Sequence, residues 1–325
     1  MIVERYTPAA QLLWDEFVRS SKNGTFLLER DYMDYHADRF ADHSLLVRDA
    51  EGALLALLPA HADGSSLVSH GGLTYGGFVT GTGMKTPLML GVFEAAADYL
   101  RARGFTAFWY KTIPHIYHRH PAEEDAYALF LAGAVLCRRD VLTVLDLRDR
   151  PPYQERRQRS VQKARKLGLV AAADADLAGY WAVVGDNLRQ RHDTAPVHSL
   201  AEIERLHARF PENIRLFTSR DGAGGLLAGV LIYESNRVAH VQYIASTEQG
   251  RRQGALDLLF DALLTGGYRD KAYFDFGIAN EDAGRTLNRG LIDQKEGFGA
   301  RAVVHDHYTI DLTQWESGRL LGALR

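Results

Sequence analysis

The residue types best suited to chemistry gather toward the C-terminus of this 325-residue chain. The first group is Gln249-Gly250-Arg251-Arg252-Gln253-Gly254-Ala255, a basic segment carrying two glycines. Glycine tolerates positive φ, so successive backbone N–H groups can converge on an anion, and a following helix adds its dipole. Arg251 and Arg252 place formal charge beside such a nest. An ordinary strand–helix connection is the plain alternative. The second group lies on the run Arg237–Ser246, where His240, Gln242 and Ile244 share a face if side chains alternate. The third is YFDFGI (273–278) with Asn280 and Glu281 behind it; Asp275 points away from its neighbours Phe274 and Phe276. Polar groups in strands this apolar must pair with each other or face a wet cleft.

These residues need elements to hold them. Leu226–Glu234 and Arg237–Ser246 flank Ser235-Asn236 and read as a hairpin. The basic segment then enters a helical pattern with Leu256, Leu259, Phe260, Leu263 and Leu264 on one face. A strand at Tyr273–Ile278, a second helical pattern ending at Gly297-Phe298-Gly299, and a strand over Ala302–Leu312 complete the unit. Ligands in open α/β sheets collect beyond the carboxyl ends of strands, which places Ser246, Asn280 and Glu281 near the active centre.

The N-terminal half repeats this order. A helix over Pro8–Ser20 and a polar, aromatic segment from Asp31 to His43 precede a hairpin, Ser44–Arg48 with Ala53–Ala60. Next comes SHGGLTYGGF (69–78), whose glycines around Tyr75 bring backbone close to a ligand or to a neighbouring strand. A helix, Pro87–Arg103, and a strand, Ala107–Lys111, complete that stretch. The loop PHIYHRHPAEED (114–125) offers His115, His118 and His120, yet without helical spacing or a cysteine partner. It reads as polar or substrate-facing, and no metal is expected. LLVRDAEGALLALLPA (45–60) parallels LFTSRDGAGGLLAGVLIY (216–233), AFWY parallels YFDF, and VLTVLDL (141–147) parallels the closing strand Asp306–Leu312. A tandem duplication accounts for this: domain 1–150, linker 151–170, domain 171–325. The linker runs from Pro151-Pro152 into a basic helix with Arg156, Arg157, Arg159, Lys163, Arg165 and Lys166, either solvated or meeting phosphate.

Composition sets the bounds. With 46% apolar and 24% charged residues and a net charge of −3, the chain reads as globular, without a basic field seeking nucleic acid. Cys137, the single cysteine, excludes an internal disulfide and sits in an apolar run that reads as core. No signal-peptide pattern or membrane-spanning stretch is visible, so a cytoplasmic location is expected.

The element order of the C-terminal half resembles the GNAT acyltransferases. The segment Gly250–Ala255 is a degenerate match to that family's pyrophosphate loop. Asn280 through Leu287 to Lys295-Glu296-Gly297-Phe298 is similar to its closing motif, with Asp293 where many members carry an acidic tyrosine. Two such halves joined by a basic helix resemble the FemAB-type double-GNAT superfamily. AHVQYIAS, YFDFGIANE and LNRGLIDQKEGFG look most like its surface-polysaccharide-associated branch. The resemblance implies an α/β, mixed-sheet pair of GNAT-like domains, the C-terminal one holding the donor. It implies acetyl-coenzyme A or another acyl-coenzyme A at Gly250, Arg251, Arg252, Gly254, Ala255 and Asn288, with the carbonyl held by backbone at Tyr243, Ile244 and Ala245. An amine acceptor, an amino sugar of a polysaccharide precursor, would lie near Tyr75, Lys111, His115, His198 and Asn280. His240 is the candidate base because its unperturbed pKa lies near working pH, with Glu281 as rival and Gln242 and Asp275 in support; a hydrogen-bonded core histidine is the alternative. Tyr308 or solvent would supply the acid. Two other classes stay open: aminoacyl transfer from tRNA gripped by Arg156–Lys166, and a binding module that has lost its donor site.

Overall fold

A computed structural model describes residues 1–192 and 196–324, with backbone alone for 190–192. The chain divides into two compact units, Met1–Asp140 with Ala283–Arg285 and Val304–Arg325, and Val141–Asp282 with Thr286–Val303. The first unit contains β1 (Ile2–Arg5), α1 (Gln11–Ser20), the one-turn α2 (Arg30–Met33), β2 (Ala41–Asp42), β3 (Leu45–Arg48) and β4 (Leu54–Leu58). It continues through β5 (His61–Asp63), β6 (Ser66–Val68), β7 (Val79–Thr80), α3 (Thr86–Ala102), β8 (Ala107–Lys111) and α4 (Glu124–Leu131). β9 (Val135–Asp146) leads into the second unit.

There the order is α5 (Glu155–Lys166), β10 (Val170–Asp174), α6 (Leu177–His192), α7 (Leu200–Arg209), β11 (Ile214–Arg220), β12 (Leu226–Glu234) and β13 (Val238–Ser246). Then come α8 (Glu248–Gln253), α9 (Ala255–Ala262), β14 (Tyr273–Ile278), a small ladder of β15 (Asn280–Glu281) with β16 (Thr286–Leu287), and α10 (Arg289–Glu296). β17 (Arg301–Asp311) returns the chain to the first unit. The hairpins, α3, β8, β12 and β14 stand within a residue or two of their sequence-based bounds.

The pairing of the closing strands does not follow the repeat. A simple duplication predicts that each half closes with its own strand, which would put all of 171–325 in one domain. Instead β17 pairs antiparallel with β8, His307 opposite Lys111 and Asp311 opposite Ala107. Ile310, Leu312 and Trp315 bury in the first unit's core with Phe93, Phe108 and Tyr110 from α3 and β8. Glu94 of α3 accepts the Leu320 and Leu321 N–H groups at 2.7 and 3.3 Å, tying down the C-terminal turn. The 142–146 part of β9 pairs with β14 in the second unit. A hydrophobic period tells which face of a strand is buried but not which neighbour accepts its edge, so the exchange leaves no local signature.

In the first unit β7 is two residues long and pairs with β4. Its flank is satisfied by side chains. Phe78 N–H donates to the Tyr110 hydroxyl at 2.7 Å, which donates to Asp125 at 2.6 Å. Asn23 spans Phe78 O and Thr80 N at 2.8 and 2.9 Å. The glycine run reflects close side-chain approach: a Cβ on Gly72 would meet His36 and Phe40, and Gly77, at φ +86°, abuts Tyr110. Cys137 is half-buried on β9, not core, and donates to His307 O.

Candidate active site

In the second unit β12 and β13 form an antiparallel ladder whose register slips between Leu231 and Ile232, leaving Gln242 as an extra residue in β13. A bulge of this kind bends a strand and re-aims the residues beyond it. Past Gln242 the alternation changes parity. Val241 belongs to the core cluster that Ile244 also packs against, so Ile244 faces away from His240 rather than alongside it. Gln242 is the bulged residue.

β13 and β14 run parallel but pair only from Val238–Tyr273 to His240–Asp275. β14 then turns off. Gly277 sits at φ +75°, its N–H donates to Asp275 Oδ1 at 2.7 Å, and the register with β9 slips between Asp275 and Ile278. Lys295 of α10 reinforces the turn, donating to Gly277 O at 3.0 Å and Ile278 O at 2.6 Å. Burial pushes this lysine down to about 8, with the Asp275 charge opposing the shift. The sequence marks Lys295 only as part of a motif; its place one turn after Leu291 on α10 is the signal that it faces inward.

At the vertex, His240 Nδ1 lies 2.8 Å from Asp275 Oδ2. Asp275 is fully buried and His240 nearly so. An ionised carboxylate only accepts, so the proton of a neutral imidazole sits on Nδ1 and Nε2 keeps its lone pair. A base held in one tautomer by a buried carboxylate is a proton-abstracting arrangement.

Past the vertex, Ile244, Ala245 and Ser246 line a cavity of about 530 Å³ with Gly250, Gly254, Leu256 and the 290–294 turn of α10. Arg156, Arg157 and Arg251 also line it. Arg157 is held by Asp257 at 2.7 Å, Arg156 donates to Asp293 O at 2.7 Å, and Arg251 donates to Ser246 O at 2.7 Å. Those bonds aim the forks of the guanidinium groups while leaving further donors for an anion. Asp293, where the sequence resemblance leads one to expect an acidic tyrosine, is exposed and ion-paired with Arg156 at 3.3 Å.

The glycine segment is largely helical, not an open nest. Thr247 caps α8 by accepting the Gly250 N–H at 3.0 Å, so that donor is taken. A Cβ on Gly250 would strike Leu227 O, and one on Gly254 would strike Ser160. Gly254, at φ +79°, is the joint between α8 and α9, and Ala255 is the buried first residue of α9. Arg252 lies outside the cavity lining, exposed and ion-paired with Glu248.

The remaining predicted residues separate into structural and open positions. Asn288 caps α10 through Leu291 N and holds exposed Glu281 at 2.7 Å. Asn280 is buried and accepts Val141 N–H at 2.6 Å. His198 Nδ1 meets the Tyr243 hydroxyl at 2.6 Å, and Trp181 packs edge-on against that ring. In the first unit Tyr75 is buried against Tyr117 with its hydroxyl on Thr25, Lys111 donates to His70 O and Leu73 O, and His115 is exposed. Burial pushes Lys111 down to about 8 and His118 to about 4; the latter's Nε2 engages Ile113 O. Among the described residues the potential metal ligands that converge are Asp140, His305 and His307. The strand alternation of His305 and His307, which puts both on one face of β17, is the available signal.

Residues 154–283 match the acetyltransferase (GNAT) domain family. No curated protein matches the chain by sequence. Among solved structures, FemX aligns with TM-score 0.67 at 12% identity, covering 97% of this chain and 98% of that one. The C-terminal domain of a putative lysylphosphatidylglycerol synthetase from Agrobacterium fabrum aligns at 0.58 and 14%, covering 97% and 95%. A tandem GNAT protein from the clavulanic acid biosynthesis pathway aligns at 0.51 and 13%, covering 97% and 99%. At such identities the likeness speaks for fold, not substrate. No helix among the described residues is long and apolar enough to cross a membrane. The chain is an α/β, mixed-sheet protein with a tandem GNAT-like fold, and its 154–283 segment is similar to the acetyltransferase (GNAT) domain family.

Proposed function

We propose that the chain is an N-acyltransferase that binds an acyl-coenzyme A in the second unit's cleft and passes the acyl group to an amine. One observation carries the reading: β13 holds His240 against the buried Asp275 at 2.8 Å, and further along the same strand Ile244–Ser246 line a cavity together with Arg156, Arg157 and Arg251. Backbone N–H groups of Tyr243–Ala245 would polarise the acyl carbonyl, and the arginines would meet the donor's phosphates. The amine nitrogen attacks the acyl carbon, its proton passes to His240 Nε2, and the carbon–sulfur bond breaks to release a thiolate that solvent protonates. Asp275 holds the base and balances the imidazolium as it forms. The sequence likeness to the polysaccharide-associated branch supports an amino sugar as the acceptor.

A second reading takes aminoacyl-tRNA as the donor. It is favoured by the position of Arg156 and Arg157 at the cavity, on the first turn of the basic helix α5. Thermal unfolding with acetyl-coenzyme A, longer acyl-coenzyme As and bulk tRNA separates the two. A midpoint raised by a thioester, with the rise diminished in Arg251→Ala, supports the first, as does free thiol released with an amino-sugar acceptor. A salt-sensitive rise with tRNA alone would replace it with the second.

A further inference from the structure

We propose that Asp140, His305 and His307 of the first unit form a binding site for a divalent transition-metal ion, with Zn²⁺ the best match. One ligand atom from each residue lies within 4.8 Å of the others. His307 Nε2 stands 3.5 Å from Asp140 Oδ2. Two ligands at ordinary zinc distances of about 2.0–2.1 Å in a tetrahedron are separated by roughly 3.3 Å, so this edge needs only a small contraction. Two histidines and one carboxylate are a donor set that zinc accepts, leaving a position open.

The surroundings fit a metal site beyond its ligands. His305 Nε2 engages the Thr112 carbonyl at 2.9 Å, which places the proton there and leaves Nδ1 to bind a cation. Arg138 Nε donates to both Asp140 oxygens, at 3.0 and 2.9 Å, fixing the carboxylate plane. His307 Nε2 is buried without a hydrogen-bond partner among the described residues. The Asp140 carboxylate, at 3.5 Å, lies at the far limit of hydrogen-bonding distance, and a bound ion would bridge the two groups. His307 also lines a cavity of about 430 Å³ with Trp109, Lys111 and Tyr308, which gives the open position room for water or a ligand oxygen.

Arg138 and Lys111 bring positive charge nearby and work against any cation. The two imidazoles favour Zn²⁺, Co²⁺ and Ni²⁺ over Mg²⁺ and Ca²⁺, which want oxygen ligands. The competing state is His307 paired directly with Asp140 and no metal. The metal site is built from residues of the first unit alone and does not depend on the proposed reaction.

The test uses the full chain without a histidine tag, stripped with a chelator. Calorimetric titration with Zn²⁺ should show one equivalent bound, and Co²⁺ should develop the visible absorption of a low-coordinate site, while Mg²⁺ gives neither. His307→Ala and Asp140→Asn should each weaken Zn²⁺ at least tenfold. Should Asp140→Asn fail to fold, His307→Ala carries the comparison, since that side chain is partly exposed. Absence of a stoichiometric Zn²⁺ or Co²⁺ site in the wild-type chain would overturn the proposal. Binding that survives unchanged in His307→Ala would overturn it equally.

Discussion

β13 of the second unit and β7 of the first hold the same place after a hairpin, yet one is nine residues long and the other two. The end of β13, Ile244–Ser246, lines a cavity to which Arg156, Arg157 and Arg251 also contribute. Along β7 the flank is filled: Tyr110 and Asn23 take up the backbone groups of Phe78 and Thr80, and Asp125 anchors Tyr110 from behind. Under the proposed function, the second unit keeps open a cleft at a place where the first is filled with a few hydrogen bonds. The difference favours the C-terminal copy as the seat of the proposed chemistry.

Breaking the open copy should have the largest effect. His240→Ala is expected to lower kcat by about 10²–10⁴, the usual worth of a positioned base, with little change in donor KM. Glu281→Gln, altering an exposed carboxylate, should leave steady-state turnover unchanged. Equal losses in both variants, or in neither, would remove the assignment of His240.

The two copies should also differ in acid. His36, His43, His61, His70, His118 and His305, all in the first unit, are pushed below their ordinary value chiefly by burial, His118 to about 4 and His305 to about 3. The unfolded chain therefore takes up these protons first, so stability falls as pH drops from 6.5 toward 4. For His118 alone the loss is on the order of 3 kcal/mol. Asp125, raised to about 6 by burial, works in the opposite sense as it protonates. Hydrogen exchange at about pH 5 against about pH 7 should show protection lost first in the 1–140 and 304–324 segments. Earlier loss in 141–282 would contradict this balance.

Smaller effects sharpen the contrast. Tyr110→Phe removes the hydroxyl that satisfies Phe78 N–H and Asp125, and should cost about 1–3 kcal/mol in urea unfolding while leaving donor affinity unchanged. Arg251→Ala should raise donor KM about tenfold, a loss of about 1.4 kcal/mol. Arg252→Ala, which removes only an exposed ion pair, should move neither KM nor stability by more than a few tenths of a kcal/mol. A larger KM effect from Arg252 than from Arg251 would mean the donor lies on the other side of α8.

Much of the fold was legible because its signals are local. The turn at Ser235-Asn236, the alternation of Tyr273–Ile278 and the leucine face of α9 set those elements to within a residue or two. The vertex was half legible: two polar residues in apolar strands had to pair, and His240 and Asp275 do. The rest depended on events outside a local window. A single extra residue at Gln242 reverses the face of Ile244. A threonine cap at Thr247 takes the Gly250 N–H that a phosphate would otherwise meet. The cleft-lining roles of Arg156 and Arg157 are set by the packing of α5 on α9, which charge density alone does not reveal.

The exchanged closing strands have a consequence during synthesis. The second unit lacks little once α10 and residues 301–303 have left the ribosome, because its share of β9 was made long before. The first unit, although residues 1–140 precede the second in the sequence, must wait for Ile310, Leu312 and Trp315 before its core can close. A nascent fragment ending near residue 150 would leave Phe93 and Phe108 without those partners, a sticky intermediate that a chaperone would have to shelter. Residues made after the whole of the second unit are thus the ones that finish the first.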